Sequence, residues 1–378
     1  MKKNINLNKE EKEKVINQWN NSGFSTSLDL YSFQPSRDYF SSLVTKNKEE
    51  NVDSNWFEKW IIDTYLKNKI PVKNCLTLCC GHGERDRRLA RMGVFQHCLG
   101  LDISPHAIEN AKKSASVEGY SNILYEVSDL NVDHLKENSY DLVYVGGGMH
   151  HILNLEHLVD QIYKSLKPRG LLVCDEYVGP AYNNLTNRHR EIINSSIHLI
   201  PKRLRNVSEE NFIPNFWKKS IIRTAFFLLY KLGSINIGNY KVSPNWPSYK
   251  KWIFRIGGNI NSLLSRIRNH SNRFKYGQLF DISPERVKAG DPSEGIRSDE
   301  IIPIIKQKFE DTKVHYYNGS IIGYALDEKF FSNYNTNSKK DRLLFDLLID
   351  IEKKMIEIGE IPSNHAIIVS QKPKKLIS

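Results

Sequence analysis

From residue 74 onward, short apolar runs alternate with charged stretches of helix length. Residues 75–80 form an apolar run, followed by a glycine turn, Gly81-His82-Gly83, and a charged helical stretch over 84–92. A second apolar run, 98–101, ends on a carboxylate, Asp102. Residues 122–127 read as a third strand that enters Ser128-Asp129-Leu130-Asn131. Residues 140–145 read as a fourth that enters Gly146-Gly147-Gly148-Met149-His150-His151. A helix over 155–166 and the turn Lys167-Pro168-Arg169-Gly170 lead to a fifth strand at 171–178. Strands that are apolar throughout, rather than alternating, are buried on both faces, and intervening helices make their sheet parallel. The expected class is therefore α/β, a doubly wound sheet.

The flanking patterns divide the rest. Residues 1–70 read as a helical cover, with helices at 10–19 and 55–66. Trp56, Trp60 and Ile61 share one face of the second helix, and Ser54 stands where an N-cap belongs. Residues 71–180 are the strand-rich half, 181–290 a mostly helical insertion after the fifth strand, and 291–378 the completion of the sheet. In that last part Ser298 is expected to cap a helix running to 309. A strand at 313–317, an amphipathic helix at 340–358 and a final strand at 365–371 follow.

The turn after the first strand points to a nucleotide. Glycines let the backbone approach a ligand closely, and the following helix adds oriented N–H groups. A carboxylate ending the second strand can take both hydroxyls of a ribose. A nicotinamide fingerprint is excluded, because Asp86 stands where its third glycine belongs. A P-loop is excluded as well, since no Gly-Lys-Ser/Thr follows the turn. An adenosine-containing cofactor of another kind is expected.

The run L-x-L-x-C-G-x-G, then G-L-D-I-S, S-D-L-N, Y-D-L-V with H-H-I, and L-K-P-R-G-L-L-V resembles the class I S-adenosylmethionine-dependent methyltransferases over roughly residues 70–180. The resemblance implies a Rossmann-like sheet whose last strand is inserted antiparallel, with S-adenosylmethionine as cofactor. It implies that Gly81 and Gly83 flank the methionine part of the cofactor and that Asp102 binds the ribose. Ile103 would pack on the adenine, and Asp129 with the Leu130 backbone would meet its amino group. The Gly146-Gly147 backbone would lie near the sulfonium. Two positions depart from the pattern: Thr77 replaces the usual acid of the first strand, and Cys79 the usual first glycine. A threonine hydroxyl still accepts a hydrogen bond but brings no charge. The D-P-S-E-G-I-R-S stretch and D-E-Y-V-G-P more loosely resemble methyltransferases of polysaccharide and natural-product biosynthesis.

Methyl transfer is mainly a positioning task, and a hydroxyl acceptor also needs its proton removed. His150 or His151, after the fourth strand, is the candidate base; the alternative is that one of the pair packs under the loop and hydrogen-bonds the backbone. Glu176 and Tyr177, ending the fifth strand, are candidates for acceptor contacts, a carboxylate there being able to orient a histidine. No metal is expected. The acceptor expected is a hydroxyl, less readily an amine, on a small molecule or glycan, an anionic, phosphate-bearing sugar being one candidate.

Charge sharpens one question. The net charge of +11 is concentrated in residues 181–290, where 19 lysines and arginines face 5 aspartates and glutamates. Such a segment speaks of partners rather than fold. It suits a lid over a phosphorylated acceptor, or nucleic acid through Trp217-Lys218-Lys219 and Tyr249-Lys250-Lys251-Trp252. Residues 220–232 suit peripheral membrane contact, or simply a packed helix. Nucleic acid is the weaker alternative, because the fourth strand does not lead to the Asn/Asp-Pro-Pro-aromatic turn of base-modifying enzymes. A non-catalytic binding protein that keeps the fold is the third. The five cysteines fall in or beside expected strands without a C-x-x-C pair, so reduced thiols are expected. With no apolar core in MKKNINLNKEEKEK and no run near the length of a membrane span, a cytoplasmic location is expected.

Overall fold

The protein is seen in a computed structural model that describes residues 9–21, 29–205 and 282–374. Its centre is a seven-stranded sheet in the order β3-β2-β1-β4-β5-β7-β6. The strands are β1 (Val72–Leu78), β2 (Phe95–Asp102), β3 (Ile123–Val127), β4 (Tyr140–Gly146), β5 (Leu166–Tyr177), β6 (Asp311–Asn318) and β7 (His365–Gln371). The first five pair in parallel, and β7 runs antiparallel between β5 and β6. This is the doubly wound, mostly parallel sheet with an antiparallel last strand that the sequence leads one to expect. Strand order reverses between β1 and β4, so a crevice opens where their C-terminal ends diverge.

Burial on both faces explains the unbroken apolar strands. Cys75, Leu142, Tyr144, Val173 and Ile367 pack on one face with Phe40, Ile61 and Ile108. Leu76, Val143, Val145, Leu172, Cys174 and Ile368 pack on the other with Leu158, Ile162, Ile305 and Phe309. The first group of helices includes α1 (Lys9–Asn21), α2 (Gln34–Thr45) and α3 (Trp56–Ile61), whose last turn widens to a π-type turn over Ile62–Leu66. Between the strands run α4 (Glu84–Arg91), α5 (Pro105–Val117) and α6 (Leu155–Ser165). After β5 come α7 (Asn187–Leu199), α8 (Pro284–Gly290) and α9 (Ile301–Lys308). Short helices α10 (Ile322–Ala325) and α11 (Glu328–Asn333) and the long α12 (Lys339–Glu357) precede β7. All five cysteines are free thiols. Among the described residues no helix is long and apolar enough to cross a membrane.

Several local expectations change. Ser54 does not cap α3, whose N-cap is Asn55 without a side-chain bond. Ser298 instead donates to the Gly179 carbonyl, and α9 starts after a short 3-10 turn at Ser298–Glu300. The expected turn at 167–170 is part of β5, because Arg169 N–H donates to the Lys372 carbonyl and Lys372 N–H to that of Gly170. Helix α2 goes unread in the sequence because small polar residues, Ser36 and Ser41, occupy its buried face beside Tyr39, Phe40 and Val44. The basic and aromatic stretches of the insertion, and the 220–232 segment, lie outside the described residues.

Gly83 shows how tightly the turn is built. Its φ is +68°, and a Cβ there would lie 2.7 Å from Tyr125 Cζ. Gly83→Ala is expected to destabilise the fold by about 2 kcal/mol or more, combining left-handed strain with displacement of Tyr125. Denaturant unfolding checks this; an unchanged midpoint would refute the packing argument.

Candidate active site

The C-terminal strand ends bring most of the expected site residues to one edge. Asp102, ending β2, accepts from Gly81 N–H through Oδ2 and from Ser104 N–H through Oδ1, both at 2.9 Å. A carboxylate offers about four lone-pair sites, so two such bonds leave room for the hydroxyls of a ribose. Burial raises its pKa above the ordinary value despite those backbone donors. Gly81 and Gly147 both have positive φ, and a Cβ on either would meet no atom within 4 Å. The crevice between β1 and β4 is thus open at these two glycines and closed at Gly83 and Gly146, where Tyr125 and Arg85 fill the space. Ile103 is partly exposed beside Asp102. This arrangement fits an adenosine-bearing cofactor.

Not every expected contact points into the crevice. Thr77 is 2% exposed, and its hydroxyl turns to the Leu99 carbonyl at 3.5 Å. A carboxylate does lie close to this point of the sheet, Asp86 of α4, whose Oδ2 would lie 3.1 Å from a Cβ on Gly100, but it is buried at 1% exposure and does not open onto the crevice. Cys79 takes the left-handed backbone that a glycine would occupy, at φ +53°. Its Sγ would lie 2.8 Å from a Cβ on Gly148, so the glycine lost from one strand end is compensated on the next. Leu130 is buried in the core, leaving its backbone as the available part. Asp129 is already engaged: Lys12 of α1 lies 2.5 Å from Oδ2, and Asn131 donates to Oδ1. Burial opposes ionisation there, but Lys12 and Asn131 outweigh it and lower its pKa. Helix α1 crosses this edge further, with Asn20 Oδ1 accepting from Ser104 Oγ at 2.7 Å and Trp19 edge-on to His151 at 4.9 Å.

The chemistry gathers at His150. Its Nδ1 lies 2.8 Å from Glu176 Oε2, while Glu176 Oε1 accepts from the N–H groups of Gly148 and Met149 at 2.8 and 2.6 Å. One buried carboxylate therefore fixes both the imidazole and the glycine-rich turn that carries it. Burial disfavours the charged imidazole, but Glu176, Glu294 and Asp291 more than offset this and raise the His150 pKa. His151 is the opposite case: burial and the neighbouring His150 push its pKa well down. Tyr177 donates to the Pro180 carbonyl and contacts Asn183 and Tyr324, so its hydroxyl is occupied while its ring faces His150 at 6.1 Å.

Beside Gly147 and His150 lies a cavity of about 340 Å³. Tyr31, Phe40, Trp56, Phe57, Tyr177, Tyr317 and His365 give it an aromatic wall. Arg37, Arg85 and Arg88 line it together with Glu58, Asp175 and Glu176, so its formal charges balance. Arg85 reaches Asp175 and the Tyr144 hydroxyl at 3.4 Å, and Tyr317 donates to Asp175 at 2.6 Å. His365 contacts the Tyr31 hydroxyl and stacks on Tyr317 at 5.4 Å; burial brings its pKa down to about 3, so it is neutral. The sequence reading misses His365, Tyr317 and Arg85. The available signal for His365 is register: antiparallel pairing sets the first residue of β7 opposite Tyr177, the last of β5.

Sheet order, the open glycine turn and the Asp102 carboxylate together make a Rossmann-like sheet of the kind seen in class I methyltransferases, with a strand-end crevice that fits S-adenosylmethionine. Residues 76–174, from β1 into β5, match the family described as Methyltransferase domain. Phosphoethanolamine N-methyltransferase 2 of Caenorhabditis elegans is 28% identical over 159 residues, covering 39% of this chain and 36% of that relative. A 2-phytyl-1,4-naphtoquinone methyltransferase of Nostoc sp. is 23% identical over 176 residues, covering 46% and 77%. Among solved structures, Haemonchus contortus phosphoethanolamine N-methyltransferase 2 with S-adenosyl-L-methionine aligns at 15% identity and a TM-score of 0.41, over 92% of this chain and 61% of that one. The chain thus spans little more than a third of the first relative's length.

Proposed function

We propose that the protein is an S-adenosylmethionine-dependent methyltransferase acting on a hydroxyl of a ring-bearing small molecule. The observation that carries this reading is the His150–Glu176 pair at the mouth of an aromatic cavity, next to the open Gly147 turn. S-adenosylmethionine, when bound, supplies an electrophilic methyl group on a sulfonium. Gly81 and Gly147 leave room for it, and Asp102 takes the ribose hydroxyls. His150 Nδ1–H donates to Glu176 Oε2, which leaves the ring's lone pair on Nε2, the nitrogen that activates the acceptor hydroxyl. The aromatic wall holds the acceptor's plane and excludes water from the transfer.

Charge balance in the cavity favours a neutral acceptor over a phosphorylated one. The glycan and anionic alternatives rest on the basic insertion, of which residues 206–281 lie outside the described part. The polysaccharide subgroup draws its support from the 291–298 stretch with the following I-I-P-I-I-K helix and from the 175–180 stretch.

Calorimetric titration with S-adenosylhomocysteine tests the cofactor site. The expected result is one-to-one micromolar binding, weakened at least tenfold, about 1.4 kcal/mol, in Asp102→Ala through loss of charge-assisted hydrogen bonds. Undiminished affinity in that variant would remove Asp102 from the site, and no binding by the wild type would overturn the enzyme reading. A screen of phenolic and alcoholic acceptors then tests the substrate class.

A further inference from the structure

A second feature of the same corner concerns lone pairs rather than protons. His151 Nδ1 lies 3.1 Å from Ser293 Oγ, and that hydroxyl already donates to Asp291 Oδ1 at 2.7 Å. A serine has one hydrogen to give, so its oxygen accepts here and His151 carries its proton on Nδ1. His150 carries its own on Nδ1 toward Glu176. Both rings therefore keep their lone pairs on Nε2. Glu294 brings a carboxylate to the same place, with Oε2 3.8 Å from His151 Nε2. One donor atom from each of His150, His151 and Glu294 lies within 4.8 Å of the other two.

We propose that His150, His151 and Glu294 form a binding site for a divalent first-row transition-metal cation. Two imidazole nitrogens and one carboxylate oxygen suit zinc, iron, cobalt or manganese rather than magnesium or calcium, which prefer all-oxygen sets. The separation of His151 from Glu294 is within the span of two metal–ligand bonds of about 2 Å each. Each histidine already has the outer partner that metal-bound imidazoles have: Glu176 behind His150, and Ser293 backed by Asp291 behind His151. The loop that carries Glu294 is anchored, because Ile296 N–H donates to the His150 carbonyl and Arg297 pairs with Glu156. Trp19 covers the outer edge of His151.

The consequence rests on the methyltransferase reading. Three protein ligands leave further coordination positions, and His150 also lines the cavity, so an acceptor hydroxyl reaching the cation from there would lose its proton to water at lower pH. The His150 lone pair would then activate the acceptor through the cation it holds.

The test is a titration of the chelator-stripped full chain with cobalt(II) chloride, followed by visible absorption. The expected result is one cobalt per chain with ligand-field bands of a nitrogen–oxygen site. His151→Ala and Glu294→Gln should each weaken binding at least tenfold, while His157→Ala, whose ring bonds the Asp133 carbonyl instead of the cluster, leaves it unchanged. Thermal melts of each variant identify any that fail to fold, and Glu294→Gln keeps the side chain's shape. No saturable binding, or binding indifferent to His151→Ala and Glu294→Gln, overturns the assignment. Titration with S-adenosylhomocysteine on the same samples separates the outcomes. Its failure counts against the methyltransferase reading alone, and failure of cobalt binding counts against the cation site alone.

Discussion

Glu176→Gln is expected to lower kcat for methyl transfer by roughly 10²- to 10⁴-fold while changing S-adenosylhomocysteine affinity by no more than about twofold. The amide can still accept from the Gly148 and Met149 N–H groups, so the turn that bears His150 should hold. Its NH2 group, however, meets His150 Nδ1 where a carboxylate stood, and two donors cannot face each other. The imidazole is driven to the other tautomer, with hydrogen on Nε2 and no lone pair toward the acceptor. The change therefore strikes the reacting group without touching Asp102 or the glycine turn. Steady-state kinetics beside calorimetry provide the check. A kcat within about threefold of wild type would mean that His150 does not activate the acceptor.

Asp86→Asn should change stability rather than chemistry. Asp86 is 1% exposed and its Oδ2 has no hydrogen-bond partner among the described residues. Burial pushes its pKa up to about 6, outweighing the nearby Thr77 and Tyr125 hydroxyls and the Arg87 charge. The folded state thus keeps a proton that the unfolded chain releases near its ordinary value of 3.8. Below that value the group leaves stability untouched. As pH rises from about 4 to 6 it lowers stability progressively, and above 6 the full cost remains, about 3 kcal/mol. Asparagine removes the titration, so the variant should lack that slope and match or exceed wild-type stability at pH 8. Urea unfolding at intervals from pH 4 to 8 measures the difference, and parallel curves for the two proteins would refute it.

The strand-rich half was legible because local and tertiary demands coincide there. A strand buried on both faces must be apolar throughout, and the residues of β1, β2, β4 and β5 state this directly. The turn at Gly81 to Gly83 and the carboxylate of Asp102 were readable for the same reason, since positive φ and a strand-end acid leave a local mark. His365–Gln371 was legible to the residue as a run of apolar positions. Helix α2 was not, because serines can fill a tight interface that apolar residues usually mark. The 167–170 stretch looked like a turn because nothing local shows that Lys372 will pair with it.

The acceptor side depended on contacts between distant segments. Tyr31, Arg85, Tyr177, Tyr317 and His365 line one cavity although more than 330 positions separate the first from the last. Glu294 meets His151 only because the loop before α9 folds back over the end of β4. By itself the sequence determined the α/β class, the nucleotide turn and the candidate histidines, because backbone conformation and strand burial are local requirements written residue by residue. The tertiary structure alone decided which histidine Glu176 holds, that Thr77 turns away from the crevice toward the Leu99 carbonyl, and which rings wall the cavity. Those are matters of distance, and distance between remote side chains is set by packing of the whole sheet and its covering helices.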